Sequence, residues 1–494
     1  MHGPSGQTGS VWEQGVAAPE IHPPLAGSHR TESVVVGAGI VGLTAALRLL
    51  ELGRPVIVLE GLRAGRQVSG RSSAKITTQH RLIYRHLIDT VGTERAAAYA
   101  EANSCGAAHI RRWIVELGIG CDLEDRSAYT YTQDPERLVD LEAEVTAAGM
   151  LGLAAEVTRS VPLPFATAGA LRFPGQAQFN PVAYLDGLAQ AVTARGGRIC
   201  ENSRVLGVDE AARWRATTAG GAVEADNIVI ATNMTIKTPV GMAKRTQPRC
   251  HGVMAFRIAD ASAMDGMFIT AEEPTYSFRT GHDQSGPILL ALGPHFGTGH
   301  DGDVAARFIA LEKWVRTHLP VGEALWRWCN EDYDTADRIP LVGEPDPGKA
   351  PGFHIATGFN AWGISNGTAA GLMIADSICG RSSPWRELYD PARPLPKDFH
   401  RDGESQSLVD SPEAIAPGVG GVIVHGDDKI ALRRDDDGTL HALSARCTHK
   451  GCIVTWNNAE RTWDCPCHGS IFAADGSVIH GPARKPLEPA GFDG

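Results

Sequence analysis

The sequence predicts a mixed α/β body followed by a small all-β domain. Three observations carry this. A strand running into a glycine-rich turn and a helix opens the body; a proline-rich stretch interrupts the chain near residue 400; and four cysteines then crowd into residues 447 to 467 among short strands and tight turns.

The first 30 residues, rich in Gly, Pro, Ser and His, read as a disordered leader. They lack the charged start, apolar core and small-residue cleavage site of a signal peptide, which predicts a cytoplasmic protein. From residue 31, Ser-Val-Val-Val (33 to 36) enters Gly37-Ala-Gly39-Ile-Val-Gly42 and the helical stretch 43 to 52, and a second apolar strand at 55 to 59 is closed by Glu60. This is a complete βαβ unit. In that context Gly37 permits a tight turn, Gly39 lets the backbone approach a pyrophosphate, and Gly42 lets helix and strand pack closely. The helix N-terminus faces the anion. Glu60, 23 residues after Gly37, stands where a carboxylate accepts ribose hydroxyls. A dinucleotide is expected here. Ala46 and Gly53 continue the pattern as small packing positions.

Helical patterns follow at 83–118 and 136–148, with strand-like pieces at 199–208, 213–216 and 227–232. Segments 250–258, 275–280 and 287–292 read as strands of a second sheet, and 303–318 and 367–379 as helices. Between 380 and 417 prolines alternate with charged residues and Ser, which predicts a linker, placed at 396–417. The expected organisation is thus a leader (1–30), a mixed α/β body (31–395), the linker, and a terminal domain (418–494) with strands near 422–424, 430–433, 440–443 and 453–456. Turn signals at Asp437-Gly438 and Asp475-Gly476 punctuate it. No repeat at solenoid or propeller period is visible.

Charge and hydropathy exclude several classes. The net charge is −11 without long basic runs, which argues against a sequence-independent grip on nucleic acid or anionic lipid. The longest apolar tracts, such as 34–50, are interrupted by Gly and Arg, so no membrane-spanning helix is expected. Six cysteines scattered between Cys105 and Cys379 read as buried thiols, whereas the clustered four imply a site.

The body resembles the FAD-dependent D-amino-acid oxidase and glycine oxidase family over about residues 31 to 395. The glycine turn, Asp226-Asn-Ile-Val-Ile-Ala231-Thr-Asn233, Asp337-Arg-Ile-Pro-Leu-Val-Gly343, and above all Ala356-Thr-Gly358-Phe-Asn-Ala-Trp362-Gly363-Ile364-Ser365-Asn-Gly367 carry the resemblance. It implies a Rossmann-like FAD-binding domain with an α+β substrate subdomain. In that family the last loop wraps the isoalloxazine ring and aims backbone N–H groups at its pyrimidine edge, with Trp362 packing beside the flavin. Ser69-Gly-Arg-Ser72-Ser73-Ala-Lys75-Ile-Thr-Thr-Gln-His80 is similar to the family's segment beneath the pyrophosphate and ring, its rival reading being a surface loop. Val205 and Ala231 complete the implied FAD contacts. With a single full glycine motif, a second nucleotide site for NAD(P)H is not supported.

Cys447-x-His449-x-x-Cys452 and Cys465-x-Cys467-His468 resemble a Rieske domain, in which one iron of a [2Fe–2S] cluster takes two thiolates and the other two imidazoles. The resemblance assigns Cys447 and Cys465 to one iron, His449 and His468 to the other, and Gly481-Pro-Ala to a third loop covering the cluster. It also implies a Cys452–Cys467 disulfide, as in the respiratory branch; burial beside the cluster is the reason such a bond could survive in a reducing compartment. A tetrahedral zinc site is the rival.

Together the two resemblances imply an enzyme, closest to bacterial FAD-dependent oxidoreductases with a C-terminal Rieske domain, marked by Ala74-Lys-Ile-Thr-x-Gln-His80. Such a chain is expected to oxidise a C–N bond of a small amine or amino acid, with hydride passing to flavin N5. Electrons then leave singly through the cluster to an external acceptor, a protein or a quinone. Because reduced flavin reacts with oxygen without a cluster, a dehydrogenase is expected rather than an oxidase. Arg279 and His295, on the second sheet, and His80 and Lys75, near the ring, are the candidates for orienting substrate; for Arg279 a carboxylate clamp competes with a surface ion pair. The alternatives are an electron-transfer flavoprotein serving a partner oxygenase, and an alcohol-oxidising or biosynthetic tailoring enzyme on the same scaffold.

Overall fold

A computed structural model describes residues 4–13, 21–210, 212–237, 242–300, 303–396 and 408–492. The nucleotide half is a sheet whose path runs Leu341–Gly343, Phe353–Thr357, Gly221–Ile230, Gly27–Val36, Val56–Leu59, Arg198–Cys200. Along this path every pairing but the first, which is antiparallel, is parallel. Val34, Val35 and Val58 are wholly buried because both faces of this sheet are covered, which is why these strands read as unbroken apolar runs. The helices Ile40–Glu51 and Gly363–Ile378 pack against one another. Gly371 lies at their crossing, where a Cβ would meet Thr44 side-chain atoms at 2.7 Å.

The second sheet has ten strands among the described residues, in the order Gln7–Thr8, Ala324–Thr335, Thr246–Arg257, Gly286–Gly297, Ser277–Asp283, Met267–Thr270, Glu124–Thr132, Gly169–Gln178, Lys75–Ile76, with Glu156–Thr158 pairing off this path. The C-terminal domain contains two antiparallel sheets, Gly420–His425 with Asp428–Arg434 and Leu440–Ser444, and the meander Thr455–Asn457, Thr462–Asp464, Ile471–Ala473, Val478–His480. Among the described residues no helix is long and apolar enough to cross a membrane.

Several expectations change. The leader is ordered where it is described: Gln7–Thr8 pairs in parallel with Trp326 and Arg327, Trp12 is buried, and the first long strand already starts at Gly27. Trp12 drives this, since its indole donates to Ser72 O at 2.9 Å and its ring lies under the Arg279 guanidinium. Residues 1–3 and 14–20 lie outside the described set. The helix expected over 83–118 is two helices, broken at Gly92, whose φ of +85° a helix cannot accommodate. The strand expected over 199–208 is likewise two, Arg198–Cys200 and Gly207–Glu210. Of the linker, 397–407 lies outside the described residues, while 408–417 belongs to the terminal domain: Ile415 is buried, and Arg434 donates to the carbonyls of Pro412 and Ile415.

Candidate functional site

At the glycine turn three chain segments meet too closely for side chains. Gly37 has φ +105°, and a Cβ there would lie 2.5 Å from Ala231 O; one at Gly42 would lie 1.9 Å from Gly37 O. Glu60 ends the neighbouring strand with both oxygens engaged, accepting the Ala38 and Leu62 amides at 2.9 Å each. Burial raises its pKa and these amides oppose the rise. A carboxylate offers about four lone-pair directions, so two remain for ribose hydroxyls. A cavity of about 120 Å³ opens here, lined by Gly37, Gly39, Glu60, Val205, Ala231 and Asn233 from the body and by His480, Gly481 and Arg484 from the C-terminal domain.

From this cavity the segment 69–75 leads to a second one of about 640 Å³, in which Ser72, Ser73 and Lys75 face Trp362, Ile364 and Ser365. The opposite wall is a strained loop. Gly358, Asn360 and Ala361 all have positive φ, and a Cβ on Gly358 would lie 2.4 Å from the Thr335 methyl. Asn360 tolerates its conformation because its side chain bonds locally, accepting from Thr335 N at 3.0 Å and donating to Gly358 O at 2.7 Å. The Asp332 carboxylate accepts the Ala361 amide. This fixes the N-terminus of Gly363–Ile378, which has no side-chain cap, at the cavity edge. Two cavities linked along the chain by the segment 69–75, one bounded by a glycine turn and carboxylate and one by a helix N-terminus, fit an extended FAD with its nucleotide and ring at opposite ends.

His80 is a brace. Its Nδ1 is 2.7 Å from Tyr99 Oη, its Nε2 is within 3.2 Å of Thr77 O and 3.3 Å of Ser365 Oγ, and its ring stacks on Trp362 at 4.6 Å. Burial lowers its pKa to about 3, so it is neutral and its nitrogens are occupied. Lys75 lines the cavity, donating to Phe268 O and Ser277 Oγ; burial and then the Arg279 charge lower it to about 7.

Arg279 is neither a carboxylate clamp in the cavity nor a surface ion pair. It is 2% exposed, and its three nitrogens donate to the carbonyls of Ser73, Thr280 (3.1 Å) and Phe179 (3.0 Å). With its donors committed and Trp12 against its face, it ties the segment 69–75 to the second sheet instead. His295 does line the cavity, its ring 6.0 Å from that of His251. The sequence reading missed its neighbours. Arg249 donates to both Asp334 oxygens at 2.7 and 2.9 Å, and to His251 Nε2 at 2.7 Å. All three residues line the cavity. Alternation along the strand would have put Arg249 and His251 on one face, but the strand was expected to begin at 250, whereas it begins at Thr246.

In the C-terminal domain the two Cys–His loops have the same construction. Cys447 N donates to Cys452 O and Gly451 N back to Cys447 O, both at 2.8 Å; Cys465 N donates to Ser470 O at 2.8 Å and Gly469 N to Cys465 O at 3.0 Å. Gly451 and Gly469, with φ of +80° and +72°, make the turns. The Cys447 and Cys465 side chains lie near enough to perturb each other's ionisation, and the imidazoles of His449 and His468 lie 4.7 Å apart. His449 Nδ1 is buried without a hydrogen-bond partner among the described residues. Cys452 and Cys467 are joined as a disulfide. The third loop closes on the second through Ala483 N and Ser470 Oγ, 2.9 Å. Two thiols and two imidazoles paired in this way fit a [2Fe–2S] cluster with two protein ligands per iron.

The cluster loops face the body. Tyr333 Oη donates to His468 O at 3.1 Å, Arg204 donates to Val478 O at 2.8 Å, and Arg71 pairs with Glu460 at 3.0 Å. The Tyr333 carbonyl in turn accepts the Asn360 amide at 3.1 Å, so one residue touches both the second Cys–His loop and the loop 358–361 that lines the larger cavity.

Comparison with known proteins agrees with this geometry. The family model of FAD-dependent oxidoreductases (DAO) matches residues 32–377, and that of Rieske [2Fe–2S] domains matches 406–490. The chain is 27% identical to a putative Rieske 2Fe-2S iron-sulfur protein, YhfW, of Bacillus subtilis, over 98% of both chains. It is 25% identical to the gamma-glutamylputrescine oxidoreductase of Escherichia coli, over 73% of this chain and 86% of that one. Its terminal part is 46% identical to the chloroplastic cytochrome b6-f complex iron-sulfur subunit of Bigelowiella natans, over 14% of this chain and 27% of that one. Glycine oxidase from Geobacillus kaustophilus shares the fold, with a TM-score of 0.62 at 17% identity, covering 74% of this chain and 100% of that one. The chain therefore belongs to the DAO family of FAD-dependent oxidoreductases and carries a C-terminal Rieske [2Fe–2S] domain.

Proposed function

We propose that the protein is a dehydrogenase of a small amine or amino acid that delivers electrons one at a time to an external acceptor, a protein or a quinone. The single observation that carries this is Tyr333, bonded at once to the cluster loop at His468 O and to the flavin-ring loop at Asn360 N. When bound, the flavin supplies a hydride acceptor and the cluster a one-electron outlet.

The rest is done by this chain. Arg249, held by Asp334, and Lys75 give the larger cavity positive groups that can orient a substrate carboxylate, with His295 and Glu273 lining the same cavity. The amine class is supported by the gamma-glutamylputrescine oxidoreductase relative and by the glycine oxidase fold neighbour. Hydride transfer from a neutral amine depends on orientation, and a cavity built from fixed strands supplies it. His80, neutral and fully engaged, keeps Trp362 and the helix N-terminus in place without taking part in proton transfer.

The test is anaerobic titration of the cluster-loaded holoprotein with amines, amino acids and alcohols, following flavin bleaching and the EPR signal of the reduced cluster together. Bleaching by an amine or amino acid followed by growth of the cluster signal is the expected result. Bleaching by alcohols alone would replace the substrate class. Loading of both centres only by a reduced partner protein would make the chain an electron-transfer flavoprotein.

A further inference from the structure

The smaller cavity has walls from two domains. Gly37, Glu60 and Ala231 identify it as the nucleotide end of the FAD site, yet the segment 479–484, which begins within the last strand of the Rieske domain (Val478–His480) and runs on past it, closes its other side. We infer that the Rieske domain is a structural part of the FAD site: His480 and Arg484 bind the ADP half of the cofactor, so FAD retention and cluster-domain docking are one linked equilibrium.

Three observations support this. First, His480 is 7% exposed, lines the cavity, and its Nε2 is buried without a hydrogen-bond partner among the described residues. A buried imidazole nitrogen with no partner is costly unless a ligand satisfies it. Asn233, across the cavity, also presents a buried and unpartnered Nδ2.

Second, the charges are arranged for a diphosphate. Of the cations on the wall, Arg63 is paired with Glu201 at 3.0 Å and Arg204 is committed to Val478 O. Arg484 lines the same cavity and, among the described residues, makes no ion pair. A guanidinium left uncommitted beside the glycine turn is suited to a pyrophosphate.

Third, the wall is held in place. Arg204 clamps its first residues, donating to Val478 O, and the His480 ring stacks on Tyr333 at 6.4 Å. On its other side the segment touches the cluster loop through Ala483 N and Ser470 Oγ. The loop that covers the cluster is therefore also the loop that covers the nucleotide. Under this arrangement the cluster domain stays docked while FAD is bound, and release of FAD requires the domain to move.

The experiment uses full-length, cluster-loaded protein stripped of flavin and titrated with FAD, binding being read from quenching of flavin fluorescence. Arg484→Gln is expected to weaken FAD binding about tenfold or more, the size of a lost charge-assisted hydrogen bond. His480→Phe keeps the ring against Tyr333 but removes Nε2, and is expected to weaken it about fivefold. The cluster's visible absorption is recorded for each, so that only variants with an intact terminal domain are compared. In the parent protein, added FAD is expected to slow amide exchange over 478–484. FAD binding within about twofold of the parent in both variants, or unchanged exchange over 478–484, would overturn the inference.

Discussion

Replacing Glu460 by Ala should loosen the docking of the two domains more than any other single change at their interface. Glu460 Oε2 holds Arg71 at 3.0 Å and Oε1 accepts the Cys329 amide at 3.1 Å; the two side chains are only 11% and 17% exposed. Burial alone would lower the Arg71 pKa, yet Glu460 and Glu331 together hold it above its ordinary value. Removing Glu460 therefore strands a buried guanidinium, at a cost of about 3 kcal/mol, the lower end for breaking a buried pair. Glu331 cannot take over fully, because burial lifts its own carboxyl to about 7. In a chain of several domains a single melting temperature would mix events, so the assay is amide exchange at the interface, over 324–335 and 458–484. About 3 kcal/mol corresponds to exchange faster by on the order of a hundredfold in those segments, with the far edge of the body unchanged. The double variant Arg71→Ala/Glu460→Ala should recover part of this loss, since no orphan charge remains. Interface exchange within about threefold of the parent, or a double variant as impaired as the sum of the singles, would refute the reasoning.

Three other outcomes follow from the site. Gly42→Ala would place a methyl 1.9 Å from Gly37 O, so the purified protein should contain essentially no FAD by absorbance, while its cluster spectrum persists. Arg279→Lys should lower thermal stability and flavin content together rather than raise KM selectively, because it leaves backbone carbonyls of Ser73, Thr280 and Phe179 without their planar donor, each worth about 1–3 kcal/mol when buried. Lys75, lowered to about 7, should make the affinity for a simple carboxylate inhibitor fall as pH rises through about 7, a dependence that Lys75→Met should flatten. The sign for stability is opposite: between about 7 and the unfolded value near 10.4 the unfolded chain binds the extra proton, so this group's contribution to stability rises with pH across that window.

Much of the site was legible because its chemistry is local. Gly37, Gly39 and Gly42 with Glu60, and Cys447, His449, Cys465 and His468, lie in short motifs whose spacing already encodes a turn, a helix start or a paired loop. The loop 356–367 was visible for the same reason. Arg279 shows where such reading stops. Its type suggested a clamp, but its fate depends on two carbonyls, of Ser73 and Phe179, and an indole that are distant in sequence, and that indole, Trp12, sat in a stretch read as disordered.

The sequence by itself determined the βαβ nucleotide fold, the two cofactors and the pairing of two Cys–His loops, because backbone conformation and side-chain chemistry of a short motif are properties of residues close together in the chain. Only the tertiary structure decided what the two halves do to each other. Tyr333 meeting His468, Arg71 meeting Glu460, and Arg484 reaching the nucleotide cavity join residues separated by 135 or more positions. No periodicity records such contacts; they exist because burying the apolar and charged surfaces of both domains against one another leaves these groups no other partners.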